Sequence, residues 1–318
     1  MSTPAKLAAC VLGLALIFGG TFWAGRLAGP PAPTGDGGGH AAAEGGHGEP
    51  EDRAAEPAER PGEAAVPAGL QVSQDGYTLS PLDTRLTAGE ARDLRFTVTG
   101  PDGRPVTAYR VEHGKKLHLI VVPRDLGEFQ HLHPELGADG VWSVPLTVPA
   151  PGAYRMFADF VPEGGAGLTL GADLYAAGDY RPVTPPATGR TVTVDGYTVT
   201  LDGDLTAGRT SRLTLTVSRD GKPVTDLEPY LEAYGHLVVL RGGDLAYLHV
   251  HPAGAPGDGR TRPGPAVVFD AEVPSGGSYR LFLDFKHKGA VRTAAFTART
   301  DGVPAVPAAP EESGGHGH

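Results

Sequence analysis

The sequence predicts an all-β chain: two tandem antiparallel β-sandwich domains, immunoglobulin-like or cupredoxin-like, after an N-terminal membrane segment and a stalk. Three observations carry this. The segment "DGYTLSPLDTRLTAGEARDLRFTVTGPDGRPVT" (75–107) is repeated as "DGYTVTLDGDLTAGRTSRLTLTVSRDGKPVT" (195–225). Short alternating apolar runs such as "LRFTVT", "LTLTVS", "LHLIVV" and "HLVVL" recur at strand length. Asp-Gly pairs punctuate them at 75, 102, 139, 195, 202, 220 and 258, where hairpin turns need positive φ. No helical period stands out beyond the N-terminal segment.

Residues Leu7–Gly25 form an uncharged run between Lys6 and Arg26, close to the ~20 residues that cross a bilayer and longer than the ~7–15 of a signal-peptide core. No A-x-A cleavage site follows, and "RLAGPP" puts prolines where cleavage would fall. The expectation is a signal anchor over 1–27, with a cleaved peptide as the alternative. In the first case the chain is single-pass at the cell membrane with its C-terminal part outside; in the second it is secreted. Cys10 in "LAAC" mimics a lipobox, but the apolar run lies after it. As the one cysteine of the chain, it leaves no disulfide framework and no thiolate metal site.

Residues 28–69 are Gly, Pro, Ala and Glu with few large apolar side chains, a composition that cannot offset its ordering entropy and so reads as a disordered stalk. The tail 301–318 reads alike. His40, His47, His316 and His318 sit in these tails, where they would collect metal only loosely. Between them lie repeat 1 (70–182) and repeat 2 (188–300). The formal charge of −10 with scattered basic residues argues against a nucleic-acid partner. Tyr154 and Tyr279, after "PGA" and "GGS", fit tyrosine corners that tie a loop to the sheet.

The chemistry lies in a pattern shared by both repeats, H-x12-H-x-H-P: His118, His131 and His133, then His236, His249 and His251. Residues two apart on a strand share a face. Centring a hairpin turn on Gly242–Gly243 pairs Arg241 with Asp244, which sets His236 opposite His249 and diagonal to His251. The same spacing in repeat 1 sets His118 opposite His131. The expectation is one three-histidine site per repeat, suited to Cu(II), Zn(II) or Ni(II), with a position left open. Met156 faces Leu281 in the alignment of the repeats, which excludes a repeated thioether ligand. Asp159 and Asp284 are the repeated carboxylates, either a fourth ligand or supporting group, or salt-bridge partners of Arg155 and Arg280 four residues earlier. His113 and His287 have no counterparts and read as ordinary residues.

The stretch "PYLEAYGHLVVLRGGDLAYLHVHP" (229–252), preceded by "GKPVTDLE", resembles a signature of uncharacterised exported actinobacterial proteins. It is also similar to small YtkA-like extracytoplasmic β domains, a resemblance that implies export and a β-sandwich, with metal, particularly copper, handling. The leading functional expectation is therefore a membrane-anchored metal buffer or chaperone, with a metal donor or acceptor protein as partner and no enzymatic activity. The other reading is a pair of Ig-like interaction domains whose histidines are structural or titrate near their ordinary ~6.5. A zinc hydrolase ranks below both, since no general base repeats with the histidines.

Overall fold

The computed structural model describes residues 66–300. The expected anchor (1–27), most of the stalk and the tail 301–318, with His40, His47, His316 and His318, lie outside the described residues. Within them every regular element is a strand, and no helix is long and apolar enough to cross a membrane.

Repeat 1 contains β1 (Ser73–Gln74), β2 (Tyr77–Pro81), β3 (Arg85–Thr87), β4 (Arg92–Thr99), β5 (Leu117–Pro123), β6 (Gln130–Leu132), β7 (Glu135–Leu136), β8 (Val141–Leu146), β9 (Gly152–Phe160) and β10 (Leu168–Ala177). Its sheets run β1-β2-β4-β8-β7 and β3-β10-β9-β5-β6, antiparallel throughout except for β3 beside β10. Repeat 2 contains β11 (Thr191–Val194), β12 (Tyr197–Asp202), β13 (Arg209–Arg219), β14 (Lys222–Pro223), β15 (His236–Arg241), β16 (Val250–Pro252), β17 (Ala266–Val273), β18 (Ser278–His287) and β19 (Ala290–Arg299). Its sheets run β11-β12-β13-β17-β16 and β15-β18-β19.

Each sandwich follows from period-two alternation. Phe96, Trp142, Leu119, Met156 and Leu170 face one core in repeat 1; Leu215, Phe269, Val239, Leu281 and Phe296 face the other in repeat 2. Three Asp-Gly pairs make the expected hairpins, with both residues at positive φ: Asp75-Gly76 joins β1 to β2, Asp195-Gly196 joins β11 to β12, and Asp220-Gly221 joins β13 to β14. Both tyrosine corners form. Tyr154 donates its hydroxyl to Ala150 O and Tyr279 donates to Ser275 O, each at 2.7 Å.

A third apolar cluster joins the repeats. Every residue of β5 is buried, although a sheet packed on one face buries only every second side chain. The outward set of β5 and β9, Ile120, Val122 and Phe157, meets its own counterparts on β15 and β18, Val238, Leu240 and Phe282. Phe129 stacks on Phe282 with ring centroids 4.3 Å apart. The repeats therefore bind face to face through equivalent surfaces, in the manner of a self-complementary dimer.

Residues 66–69, expected in the stalk, are instead packed. Ala68 bridges Tyr247, Gly69 N–H donates to Thr169 O at 2.8 Å, and the Arg155 guanidinium donates to the carbonyls of Gly69 and Leu70. Gly171 makes room for this, since a Cβ there would clash with Gly69 O.

Candidate functional site

Cross-strand pairing places a row of three polar side chains at the same end of each inter-repeat face. In repeat 1 it runs Thr169–Asp159–His118, across β10, β9 and β5. In repeat 2 it runs Thr293–Asp284–His236, across β19, β18 and β15. Because the repeats meet face to face, the two rows come together, and the imidazoles of His118 and His236 stack with centroids 5.5 Å apart and planes 13° apart.

The expected histidine register is displaced by two residues. His131 pairs with Ile120, so His118 stands opposite His133. In repeat 2, Leu240 bridges Tyr247, and Arg241 N–H donates to Ala246 O rather than closing a turn on Gly242–Gly243. The loops widen to turn Leu126 and Leu245, at φ 58° and 64°, into the inter-repeat core. A displacement of two keeps each side chain on its face, so the histidines remain where alternation puts them. Arg241 and Asp244 still meet, as a side-chain ion pair.

The grouping differs from one site per repeat. Among the described residues, one set of three brings metal-ligating atoms within 4.8 Å of one another: His118 and His131 from repeat 1 with His236 from repeat 2. His133 lies beside them, 4.8 Å from His131 and 5.3 Å from His118 between ring centroids. His249 and His251 do not gather on His236 as expected. They are exposed and packed on each other at 4.2 Å, because the chain leaves β15 after Leu248 and continues as β16 on the edge of the opposite sheet, beside β17.

Neither aspartate pairs with its arginine, since four residues along a strand is ~13 Å, beyond any salt bridge. Arg155 binds Asp173 and Arg280 binds Thr297. Asp284 instead crosses to the other repeat. Its Oδ2 accepts from His131 Nδ1 at 2.8 Å, and its Oδ1 accepts from Thr293 Oγ1 at 2.6 Å. Asp159 accepts from Thr169 at 2.8 Å.

His113, read as ordinary in the sequence, joins the cluster, 6.2 Å from His118 and 6.1 Å from His236 between centroids. It sits at φ 51° in a tight turn, a position that spacing alone does not reveal. Tyr230 closes the far side, 6.5 Å from His131, and its hydroxyl is pushed up to about 12 by burial and then by the Asp284 charge. His287 is structural, held between Tyr197 and Asp226.

Glu112 O can only accept, so His118 Nε2, 3.1 Å away, carries the proton. Burial depresses His118 to about 4, so the ring is neutral near pH 7 and its Nδ1 is a bare lone pair. That lone pair faces His131 Nε2 at 3.1 Å, while His131 donates its other nitrogen to a carboxylate. With His131 Nδ1 committed to Asp284 and His118 Nε2 to Glu112 O, this 3.1 Å approach calls for a cation on the His118 Nδ1–His131 Nε2 side, either a metal ion or a proton. Two more nitrogens, His236 Nδ1 and His133 Nε2, are buried without a hydrogen-bond partner. Burial followed by the neighbouring imidazoles lowers His133 to about 3 and His236 well below its ordinary value, so both rings are neutral near pH 7.

Fold and site define a two-repeat β-sandwich protein with a histidine cluster buried between its repeats. The chain belongs to the family described as domain of unknown function (DUF8832), which matches residues 71–176 and again 192–302. No curated protein matches it. Among solved structures it is similar to FdeC, an Escherichia coli adhesin, at 16% identity over 72% of this chain and 65% of that one, TM-score 0.24. It is similar to invasin, a bacterial integrin-binding protein, at 14% identity over 72% of this chain and 40% of that one, TM-score 0.21. A putative membrane anchored protein from Corynebacterium diphtheriae is similar at 12% identity over 75% and 61%, TM-score 0.21. The chain thus spans less than two thirds of each of these structures. The superpositions are loose, and the fold stands on the strand order above.

Proposed function

We propose that the protein is an exported, membrane-anchored metal-binding protein that holds one divalent ion, Zn(II) or Cu(II), between its repeats as a buffer or chaperone. The reading is of binding, not catalysis. The observation that carries it is the facing pair His118 Nδ1 and His131 Nε2, 3.1 Å apart, with their outer nitrogens tied to Glu112 O and Asp284. Tetrahedral ligands at ~2.0–2.1 Å from a zinc ion lie about 3.3 Å from one another, so the pair sits near ligating separation. Carbonyl and carboxylate partners on the far nitrogens are the supports that orient metal-bound imidazoles. His236 Nδ1 and His133 Nε2 complete the donor set, and imidazole donors without thiolate favour Zn(II) or Cu(II).

A second reading replaces the metal by a proton. His131 as an imidazolium between Asp284 and His118 would also hold the repeats together, giving an interaction module with structural or pH-sensing histidines. A proton, however, satisfies one pair and leaves the nitrogens of His236 and His133 unpaired.

Titration of the full chain decides between them, with the tail histidines His40, His47, His316 and His318 changed to alanine. One tight equivalent of Zn(II) or Cu(II), lost in His131→Ala and in His236→Ala, supports the metal reading. No tight equivalent, with a melting temperature indifferent to metal, supports the proton reading.

A further inference from the structure

The buried donor set leaves unused two of the six repeated histidines and one of the two repeated aspartates. Its members have counterparts on the other side: His249 for His131, His251 for His133, Asp159 for Asp284 and Thr169 for Thr293. We propose that His249, His251 and Asp159 form a second, exchangeable site for the same divalent ion, open to solvent, which loads the buried His118–His131–His236 centre. This rests on the reading of the buried centre given above.

The two sides differ in exposure. His131 is 3% exposed at its side chain, whereas His249 and His251 are exposed. They line a cavity of about 580 Å³ whose wall also carries Asp159, His113 and His118. Asp159 holds Thr169 through Oδ1 at 2.8 Å, the same contact Asp284 makes with Thr293, while the Asp284 Oδ2 contact to a histidine of the other repeat has no equivalent here. Asp159 lines the same cavity as this pair of imidazoles, whose ring centroids are 4.2 Å apart. Two imidazoles and a carboxylate are a zinc-type ligand set.

The open set is not closed up, since only the buried trio brings three donors within 4.8 Å among the described residues. Exposed imidazoles can rotate onto an ion at small cost, which suits capture and release. Arg110, Lys115 and Lys116 stand at the same cavity and hold its affinity for a bare cation below that of the buried centre. His118 adjoins both, since it lines the open cavity and belongs to the buried trio, so the two sites lie side by side.

The test is a titration and stopped-flow loading experiment with Zn(II) alone, on the full chain carrying alanine at the four tail histidines. Two equivalents are expected, the second at least ten-fold weaker. H249A/H251A should lose the weak equivalent, keep the tight one, and load it at least ten-fold more slowly; Asp159→Asn should weaken the second equivalent alone. Cu(II) electron paramagnetic resonance should show a second nitrogen-ligated species only when His249 and His251 are present. A single tight equivalent in the parent, or an unchanged loading rate in H249A/H251A, overturns the open site and leaves the buried centre standing. A single weak equivalent that H249A/H251A abolishes sinks the buried centre while retaining the open site.

Discussion

Asp284 Oδ2 of the second repeat accepts the Nδ1 proton of His131 from the first at 2.8 Å, with both side chains 3% exposed. The contact joins folding to chemistry. It fixes the His131 tautomer so that Nε2 faces His118, and it adds a charged hydrogen bond between two sandwiches whose shared surface beyond the histidines is an apolar cluster. Asp284→Asn keeps the shape and an acceptor oxygen but removes the charge. Losing a buried charge-assisted bond of this kind costs about 1.5–3 kcal/mol, and losing the support of a metal-bound histidine weakens metal affinity about 10–100-fold. Denaturant unfolding and metal titration of the same variant read both effects. A variant that binds metal as well as the parent would remove Asp284 from the site.

Much of this was legible in the sequence, for local reasons. Asp75-Gly76, Asp195-Gly196 and Asp220-Gly221 take positive φ at both residues and form the hairpins their composition demands. Alternation puts His118, Ile120 and Val122 on one face whatever the register, so the face was readable although the cross-strand partner was off by two. What the sequence hid is the partner of that face. A strand-length run such as "LHLIVV" does not say that the second cover of its strand is the homologous strand of the other repeat. Once the repeats are packed, His236 joins His118 and His131, and the grouping by repeat dissolves. His113 escaped for a related reason. Its turn brings it to both central histidines, but its counterpart is Leu231, so no repeat pattern marks it.

Phe282→Ala tests whether the interface holds the site together. Phe282 is 1% exposed, stacks on Phe129 of the other repeat and lies two residues before Asp284 on β18. Truncation of such a ring costs about 3–5 kcal/mol. The loss should fall on the contact between repeats, so thermal unfolding is expected to broaden or split into two transitions, with metal affinity falling in parallel. A single sharp transition with unaltered metal binding would separate the interface from the site.

Tyr279→Phe isolates a feature remote from the histidines. The Tyr279 hydroxyl donates to Ser275 O at 2.7 Å from a side chain with no exposed surface. Removal of the hydroxyl leaves that carbonyl to find another partner, a loss of about 1 kcal/mol. Tyr154→Phe should behave alike in repeat 1. Metal affinity should be unchanged in both, which makes them the controls for Phe282→Ala.

Acid should undo the site from within, and the sign follows from the depressed histidines. His118 titrates at about 4 in the folded chain, driven down chiefly by burial, and His133 at about 3, against an ordinary value near 6.5. Above pH ~6.5 both states carry neutral imidazoles and stability is independent of these groups. As the pH falls through ~6.5 the unfolded chain takes up protons that the folded chain refuses. Stability then drops, at up to about 1.4 kcal/mol per pH unit for His118 alone, until the folded-state ring itself protonates near pH 4. Metal competes with those same protons, so release should fall in this window, and at neutral pH a chelator should lower the melting temperature of the loaded protein. With metal at ~100 times its dissociation constant the stabilisation is about 2.7 kcal/mol. At about 2–4 °C per kcal/mol for a unit of this size, chelation should cost roughly 5–10 °C. Melting curves from pH 4 to 8, with and without Zn(II), check both statements. Curves that are flat between pH 4 and 6.5 would mean that His118 and His133 are not held neutral, and the lone pairs assigned to the metal on those two rings would not be there.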